Sequence, residues 1–430
     1  MICGVKKSLL SLAGVTFCIY HAWNLPDLHI LNPSFHQSEG IRMNHFLKRA
    51  GELAEEITAH RRYLHQHAEI GNDLPMTTAY VKEQLRSMGL EPKEICPGGI
   101  VALVRGKKPG KTYLLRGDMD ALPMGEDSDL PFRSQTCNAH TCGHDMHTAM
   151  LLGAARMLKE REEELAGCVK LMFQPNEEGF QGAKAMIRAG VLENPRVDAA
   201  SGMHVMLEKE APAVGYCAGS ISASCDGFKL TITGKGCHGA MPHLGTDPIQ
   251  AGLHIYQAFQ GLMARETPPS ETAVLTLGQF SAGSAPNVIP QTAVLQGTLR
   301  TYHKDLRAKL VQRMKTITDS LAVAFGVRVE YEVLSDVPSC YCDPDLLKNL
   351  VGYLEAMGGG KVYQAQPFTA SDDVAFLSEQ VPFVYFQLGA RVEGNPHGHH
   401  NPKVLFDERA LAYGAAIHAQ CAFEWLKHHS

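Results

Sequence analysis

Residues Phe228–Gly234 read FKLTITG. Apolar and polar side chains alternate up to the glycine, a period of two that places Phe228, Leu230 and Ile232 on one face of a strand. The segments after that glycine decide the architecture. DPIQAGLHIYQAFQGLM (247–263) carries apolar residues at helical spacing, AVLTLGQF (273–280) and TAVLQGTLRTY (292–302) read as strands, DLRAKLVQRMKTITDSLAVAF (305–325) is a long helix, and RVEYEVL (328–334) is a last strand. Strand, helix, strand, strand, helix, strand make a complete ferredoxin-like α+β unit. It occupies residues 228–336.

The sequence on either side has a different rhythm. HFLKRAGELAEEITAHRRYLHQH (45–67) sets Leu47, Ala50, Leu53, Ala54, Ile57 and Leu64 at helical spacing. A second helix starts near Thr77 and stops at Gly89. The runs IVALV and TYLLRGD are short strands, a helix spans about Thr148 to Glu160, and CVKLMFQ, AKAMIRAG and AASGMHV continue as strand, helix, strand. PFVYFQLGA and ERALAYGAAIHAQCAFEWL return to this style after the insertion. Such alternation predicts an α/β domain around a mixed, largely parallel sheet. The expected order is an extension over 1–42, a first part of the α/β domain over 43–227, the inserted unit over 228–336, and the second part over 337–430.

Composition narrows the function. A chain of 430 residues exceeds one small core. A net charge of −5 offers no basic surface for nucleic acid. The 12 cysteines are irregularly spaced in a long chain, so they are read as reduced and mostly buried. SLLSLAGVTFCIY follows Lys6 and Lys7 and resembles the start of a signal peptide, without a clear cleavage site. It is short for a membrane span. The expectation is a cytoplasmic protein without stable membrane insertion, with export or weak anchoring through residues 1–42 as the alternative.

The 21 histidines are the unusual feature, because several cluster with other metal-binding side chains. In HTCGHDMH, Cys142 and His144 are two apart, which on an extended segment puts both on one side. RGDMDALP sets Asp118 and Asp120 at the C-terminal end of a strand, where open α/β sheets build their sites. LMFQPNEEG places Glu177 and Glu178 after the next strand, a costly pairing unless cations neutralise it. SGMHV plants His204 in another strand, and NPHGHHNPK offers His397, His399 and His400 in a loop. Each segment has an ordinary explanation taken singly: a surface turn, a core histidine, a solvated loop. Five of them aimed at one sheet point to a metal site.

These segments carry a resemblance. RGDMDALP, CGHDMHTAMLLGAA, FQPNEEG, GMHV, GKGCHGAMPHLGTDPI, NVIP, GTLRT and HNP occur in the order seen in M20-family metal-dependent amidohydrolases. The likeness is to the branch of aminoacylase-like, hippurate hydrolase-like and indole-acetyl-amino acid hydrolase-like enzymes. It implies hydrolysis of the linear amide bond of N-acyl amino acids at a site holding two divalent metal ions per subunit. Zn, Mn, Co and Ni all suit such a mixture of ligands. It also implies roles. Cys142, His144, Glu178, His204 and His400 ligate the metals, His400 rather than His399 because the family's ligand immediately precedes an x-Pro pair. Glu177 is the general base, and Asp120 orients a ligand. Asp118 stands where other branches carry a metal-binding histidine, and its role stays open. His238 stabilises the oxyanion, reaching the neighbouring subunit's site, while Asn287 and Arg300 hold the substrate carboxylate. The inserted unit is expected to act as a lid and to make a homodimer or higher homo-oligomer.

Two departures stand out. SDDVAF (371–376) replaces a Ser/Ala-Glu-Asp-Phe pattern, with Asp372 for Glu and Val374 for the aromatic residue. Cys237 sits beside His238 where relatives carry other residues, and packing is its simplest role. A carboxypeptidase or dipeptidase on the same scaffold is the alternative activity. A non-catalytic metal-binding relative is disfavoured by the presence of Glu177.

Overall fold

The computed structural model describes residues 44–429, so the expectations for residues 1–42 lie outside the described residues. An eight-stranded sheet runs Lys93–Cys96, Gly99–Arg105, Ala166–Gln174, Lys108–Asp118, Ala199–Met206, Phe383–Gly389, Ala213–Tyr216, Lys361–Gln364. Four of its seven pairings are parallel, among them every pairing between Ala166–Gln174 and Phe383–Gly389. The C-terminal ends of those four central strands therefore share one edge of the sheet. Their C-terminal halves are buried nearly throughout, as expected with helices against the sheet, while Lys108–Asp118 begins with four exposed residues. The helices His144–Glu160 and Arg409–His429 pack on each other and on Lys108–Asp118. Met146, Ala149, Met150, Leu151, Ala154 and Leu158 are solvent-free, so the apolar run after the histidines is core.

The second sheet has four antiparallel strands in the order Ala273–Ala282, Thr292–Thr301, Cys225–Thr233, Arg328–Val337. Helices Pro248–Glu266 and Lys304–Phe325 bury its separate core of Phe228, Leu230, Ile232, Ile255, Phe259, Leu310 and Met314. The three residues that the FKLTITG alternation places on one face are all in that core.

Several local expectations change. The first helix is two, His45–Glu52 and Ala54–Gln66, broken at Leu53 with φ −93° and ψ 2°. The helix expected from Thr148 begins at His144. Consequently Cys142 and His144 are not on an extended segment. Gly143 between them has φ 88°, a left-handed conformation that turns the chain sharply into the helix. The ten cysteines among the described residues are all unbridged. No helix among the described residues is long and apolar enough to cross a membrane.

Candidate metal centre

The shared strand edge delivers the site. Asp118 ends one strand opposite Gln174 of the next, and His204 lies near the end of a third. Glu177 and Glu178 follow Gln174 in a turn. Cys142 and His144 come from the helix mouth, and His400 from the loop after Phe383–Gly389, so only part of the set comes from strand ends. A side chain on Gly143 would bring its Cβ to 2.4 Å from Val205 Cγ2, which holds the helix mouth tight against the His204 strand.

All five expected ligands converge. Cys142 Sγ lies 3.4 Å from His204 Nε2, and His400 Nε2 lies 3.4 Å from Glu178 Oε1. His144 Nε2 is 3.8 Å from Glu177 Oε2 and 4.0 Å from Glu178 Oε1. Cys142, His144 and His204 form one group of ligand atoms within 4.8 Å of one another, and Cys142, Glu178 and His400 form another. Cys142 is common to both. His144 Nε2 and Glu178 Oε1 are buried with no hydrogen-bond partner, a cost that a cation between them would remove. The thiol, three imidazoles and a carboxylate fit a borderline divalent ion.

The surroundings set the tautomers. His144 Nδ1 donates to Asp120 O at 2.8 Å, and His204 Nδ1 donates to Val205 O at 2.7 Å. Both leave Nε2 with its lone pair facing the cluster. His147 differs: Nδ1 donates to Asp118 Oδ1 at 2.6 Å, and Nε2 accepts from the Val205 N–H at 2.9 Å. Its nitrogens are committed, so it supports the site without ligating. His399 Nε2 donates to Val205 O at 2.9 Å, which leaves the approach to Glu178 to His400.

Asp120 ties the parts together. Its carboxylate accepts from the backbone N–H groups of Glu177 and Glu178 at 2.9 and 3.1 Å, while its carbonyl holds His144. Asp118 accepts from Arg116 Nη1 at 2.6 Å. Burial alone would raise the Asp118 pKa, but the adjacent guanidinium keeps it well below the carboxylate range. Arg116 is solvent-free and also reaches Asp372 Oδ1 at 3.0 Å and Asp373 Oδ1 at 3.6 Å. Tyr385 donates to Asp372 Oδ2 at 2.5 Å, and Asp373 accepts from Gln174 Nε2 and the Ala183 N–H. Carboxylate oxygens of Glu177, Asp372 and Asp373 lie within 4.8 Å of one another. Burial, then the charge of Asp372, pushes Glu177 well above its ordinary pKa. Burial pushes the Cys142 thiol up to about 12. An acid-rich cage of this kind is electrostatically incomplete without cations.

The remaining expected residues lie elsewhere. His238 and Asn287 are exposed on the inserted unit, where Val288 pairs with His238 and the Gly239 N–H donates to Asn287 O at 2.8 Å. Neither has a hydrogen bond or ion pair to the cluster among the described residues. Arg300 is the next-to-last residue of an inserted-sheet strand and donates from Nη1 to Ser371 Oγ at 3.0 Å. Cys237 points Sγ at Met241 O, in keeping with packing. Arg116, His147, Asp373 and Tyr385 carry no role in the sequence reading. Only the place of Arg116 as the first residue of RGDMD hinted at the first.

Removing the thiol tests the shared position. Cys142→Ala should lower bound metal from the wild-type stoichiometry, measured by atomic emission after gel filtration. Unchanged stoichiometry and affinity would take Cys142 out of the ligand set.

Comparison with known proteins agrees with this geometry. Residues 114–424 match the sequence profile of peptidase family M20/M25/M40. Thermostable carboxypeptidase 2 of Saccharolobus solfataricus is 35% identical over 382 residues, covering 87% of this chain and 96% of that protein. N-acetyl-L-cysteine deacetylase of Bacillus subtilis is 35% identical over 361 residues, covering 84% and 85%. The crystal structure of the Bacillus subtilis YXEP protein, described as a dinuclear metal binding peptidase from the M20 family, superposes with a TM-score of 0.76 at 29% identity, covering 88% of this chain and 99% of that one.

Proposed function

Because the chain belongs to peptidase family M20/M25/M40 and is a hydrolase of amide bonds, we propose that its substrates are N-acyl amino acids, cleaved to a carboxylic acid and a free amino acid. The observation that carries the reading is the convergence of Cys142, His144, Glu178, His204 and His400 beside the Glu177 carboxylate. Those five residues would hold two divalent ions, as the likeness to a dinuclear metal binding peptidase supports. Bound there, the ions supply Lewis acidity for the amide carbonyl and for water.

The chain's own residues do the rest. Glu177 takes a proton from the attacking water as the new C–O bond forms, and returns it to the departing nitrogen as the C–N bond breaks. Asp120 holds the Glu177 and Glu178 amides, so base and ligand keep their spacing. Arg300 and Asn287 bind the carboxylate of the amino acid half.

The test is amino-acid release from metal-stripped enzyme reloaded with Mn, Zn, Co or Ni. The panel contains N-acetyl-L-cysteine, N-acetyl-L-methionine, N-benzoylglycine, indole-acetyl-L-alanine and dipeptides. Metal-restored release from the acyl amino acids is expected. Cleavage of the dipeptides alone would favour a peptidase, a reading that the likeness to a carboxypeptidase supports. Silence across the panel with metal bound would sink both.

His238 is proposed to donate to the oxyanion in the site of a second copy, joined through the inserted unit. Its exposure and its lack of a tie to its own cluster support this. A His238→Ala variant and a Glu177→Ala variant, each inactive, should regain activity when unfolded and refolded together, because one hybrid site then has both residues intact. A mixture as inactive as its parts would confine His238 to its own subunit or remove its role.

A further inference from the structure

Arg300 presents an uncommon arrangement. Its Nη1 is held from two sides, donating to Ser371 Oγ at 3.0 Å and to Thr369 O at 3.3 Å. Ser371 is itself fixed, because its hydroxyl donates to Ala223 O at 2.8 Å and so turns a lone pair toward the guanidinium. Tyr302, two residues along, donates to Phe368 O at 3.2 Å and pins the start of the same loop. Among the described residues, no carboxylate lies within ion-pairing distance of Arg300, and its Nε–Nη2 edge has no partner. Every other tie of the group is at Nη1.

A guanidinium offers two N–H bonds in parallel along its Nε–Nη2 edge, the geometry that matches a carboxylate. An unpaired cation with that edge free is a receptor for an anion that the chain does not supply. The loop that anchors it continues directly into Asp372, whose carboxylate lies within 4.8 Å of those of Glu177 and Asp373. The anchor thus lies one residue from the acid cluster that holds Glu177, which joins carboxylate recognition on the inserted sheet to the turn that carries the base.

We propose that Ser371 is a positioning residue for substrate selectivity: with the Thr369 carbonyl it immobilises Arg300 so that the Nε–Nη2 edge is aimed at the free carboxylate of the amino acid half. This rests on the reading of Arg300 as the carboxylate site. Ser371 touches neither substrate nor reacting atoms. Its contribution is orientational, and a loosened guanidinium costs binding rather than chemistry. The consequence is a preference for free acids over their amides that depends on a hydroxyl at position 371.

The experiment uses the metal-loaded full chain, the N-acyl amino acid that it hydrolyses fastest, and the C-terminal carboxamide of that compound. Ser371→Ala should raise KM for the free acid about tenfold, the scale of one hydrogen bond to a charged group, with kcat within about twofold. Inhibition by the carboxamide should not change. Ser371→Thr, which keeps the hydroxyl, should restore KM. A KM for Ser371→Ala within twofold of wild type overturns the proposal, and so does an equal loss for acid and carboxamide. Arg300→Gln separates the two readings. If it too leaves the free-acid KM unchanged, the carboxylate site itself is wrong. If it raises KM while Ser371→Ala does not, only the role of Ser371 falls.

Discussion

Glu177→Gln should keep its metal and lose turnover by about 10²–10⁴-fold, the range that a positioned general base contributes. The separation of the two effects comes from the way the residue is held. Its backbone N–H, not its side chain, is bound by Asp120 Oδ1 at 2.9 Å, so the turn survives the substitution. Glu178, the neighbouring residue proposed as a ligand, is held by the other Asp120 oxygen and should keep its place. Glutamine preserves the shape of the side chain and removes only its capacity to take a proton. The measurement is kcat at saturating substrate beside metal content by atomic emission. A kcat within tenfold of wild type would mean that another group accepts the water's proton. Loss of metal together with activity would make Glu177 a ligand instead.

Arg116→Met is expected to cost about 3–5 kcal/mol of stability, the scale for removing one partner of a buried ion pair. Arg116 and the carboxylates of Asp118 and Asp373 are solvent-free, and that of Asp372 nearly so. Methionine fills much of the space but leaves those charges facing one another. The contrast is Arg49, whose bidentate contact with Glu160 at 2.8 and 2.9 Å looks just as good but is about a third exposed. Arg49→Met should cost less than about 1 kcal/mol, because water already screens that pair. Guanidinium chloride unfolding of the three proteins, each loaded with the same metal, compares them. Equal midpoints for the two variants would show that the Arg116 network contributes no more than a surface contact.

Much of the candidate site can be read along the chain because most of the proposed ligands stand beside a recognisable local signal. Glu177 and Glu178 follow an apolar strand, His204 interrupts one, and Cys142 and His144 precede an apolar helix. The supporting residues have no such signal. Asp373 gains meaning only because Gln174 and the Ala183 amide, far away in sequence, meet it. His147 looks as good a ligand as His144 until the Val205 N–H is seen to occupy its Nε2. The contact of His399 with Val205 O is likewise tertiary, and the x-Pro pattern that selects His400 carries no trace of it. The β-α-β-β-α-β unit was legible because its strands alternate cleanly. The strands Ala213–Tyr216 and Lys361–Gln364 are four residues each, too short to show a period. The early start of the ligand helix depends on the backbone of Gly143, which spacing alone does not reveal.

The position of Asp120 has a consequence for how such an enzyme diversifies. One peptide unit and its carboxylate gauge the distance between the Glu177 turn and the helix that starts at His144, and none of those contacts involves the inserted unit. The dimensions of the reacting centre are therefore insulated from sequence drift in the inserted unit. New acyl or amino acid preferences can accumulate in the inserted unit without moving these contacts, while Asp120 itself is a point where almost any replacement disturbs base and ligand together.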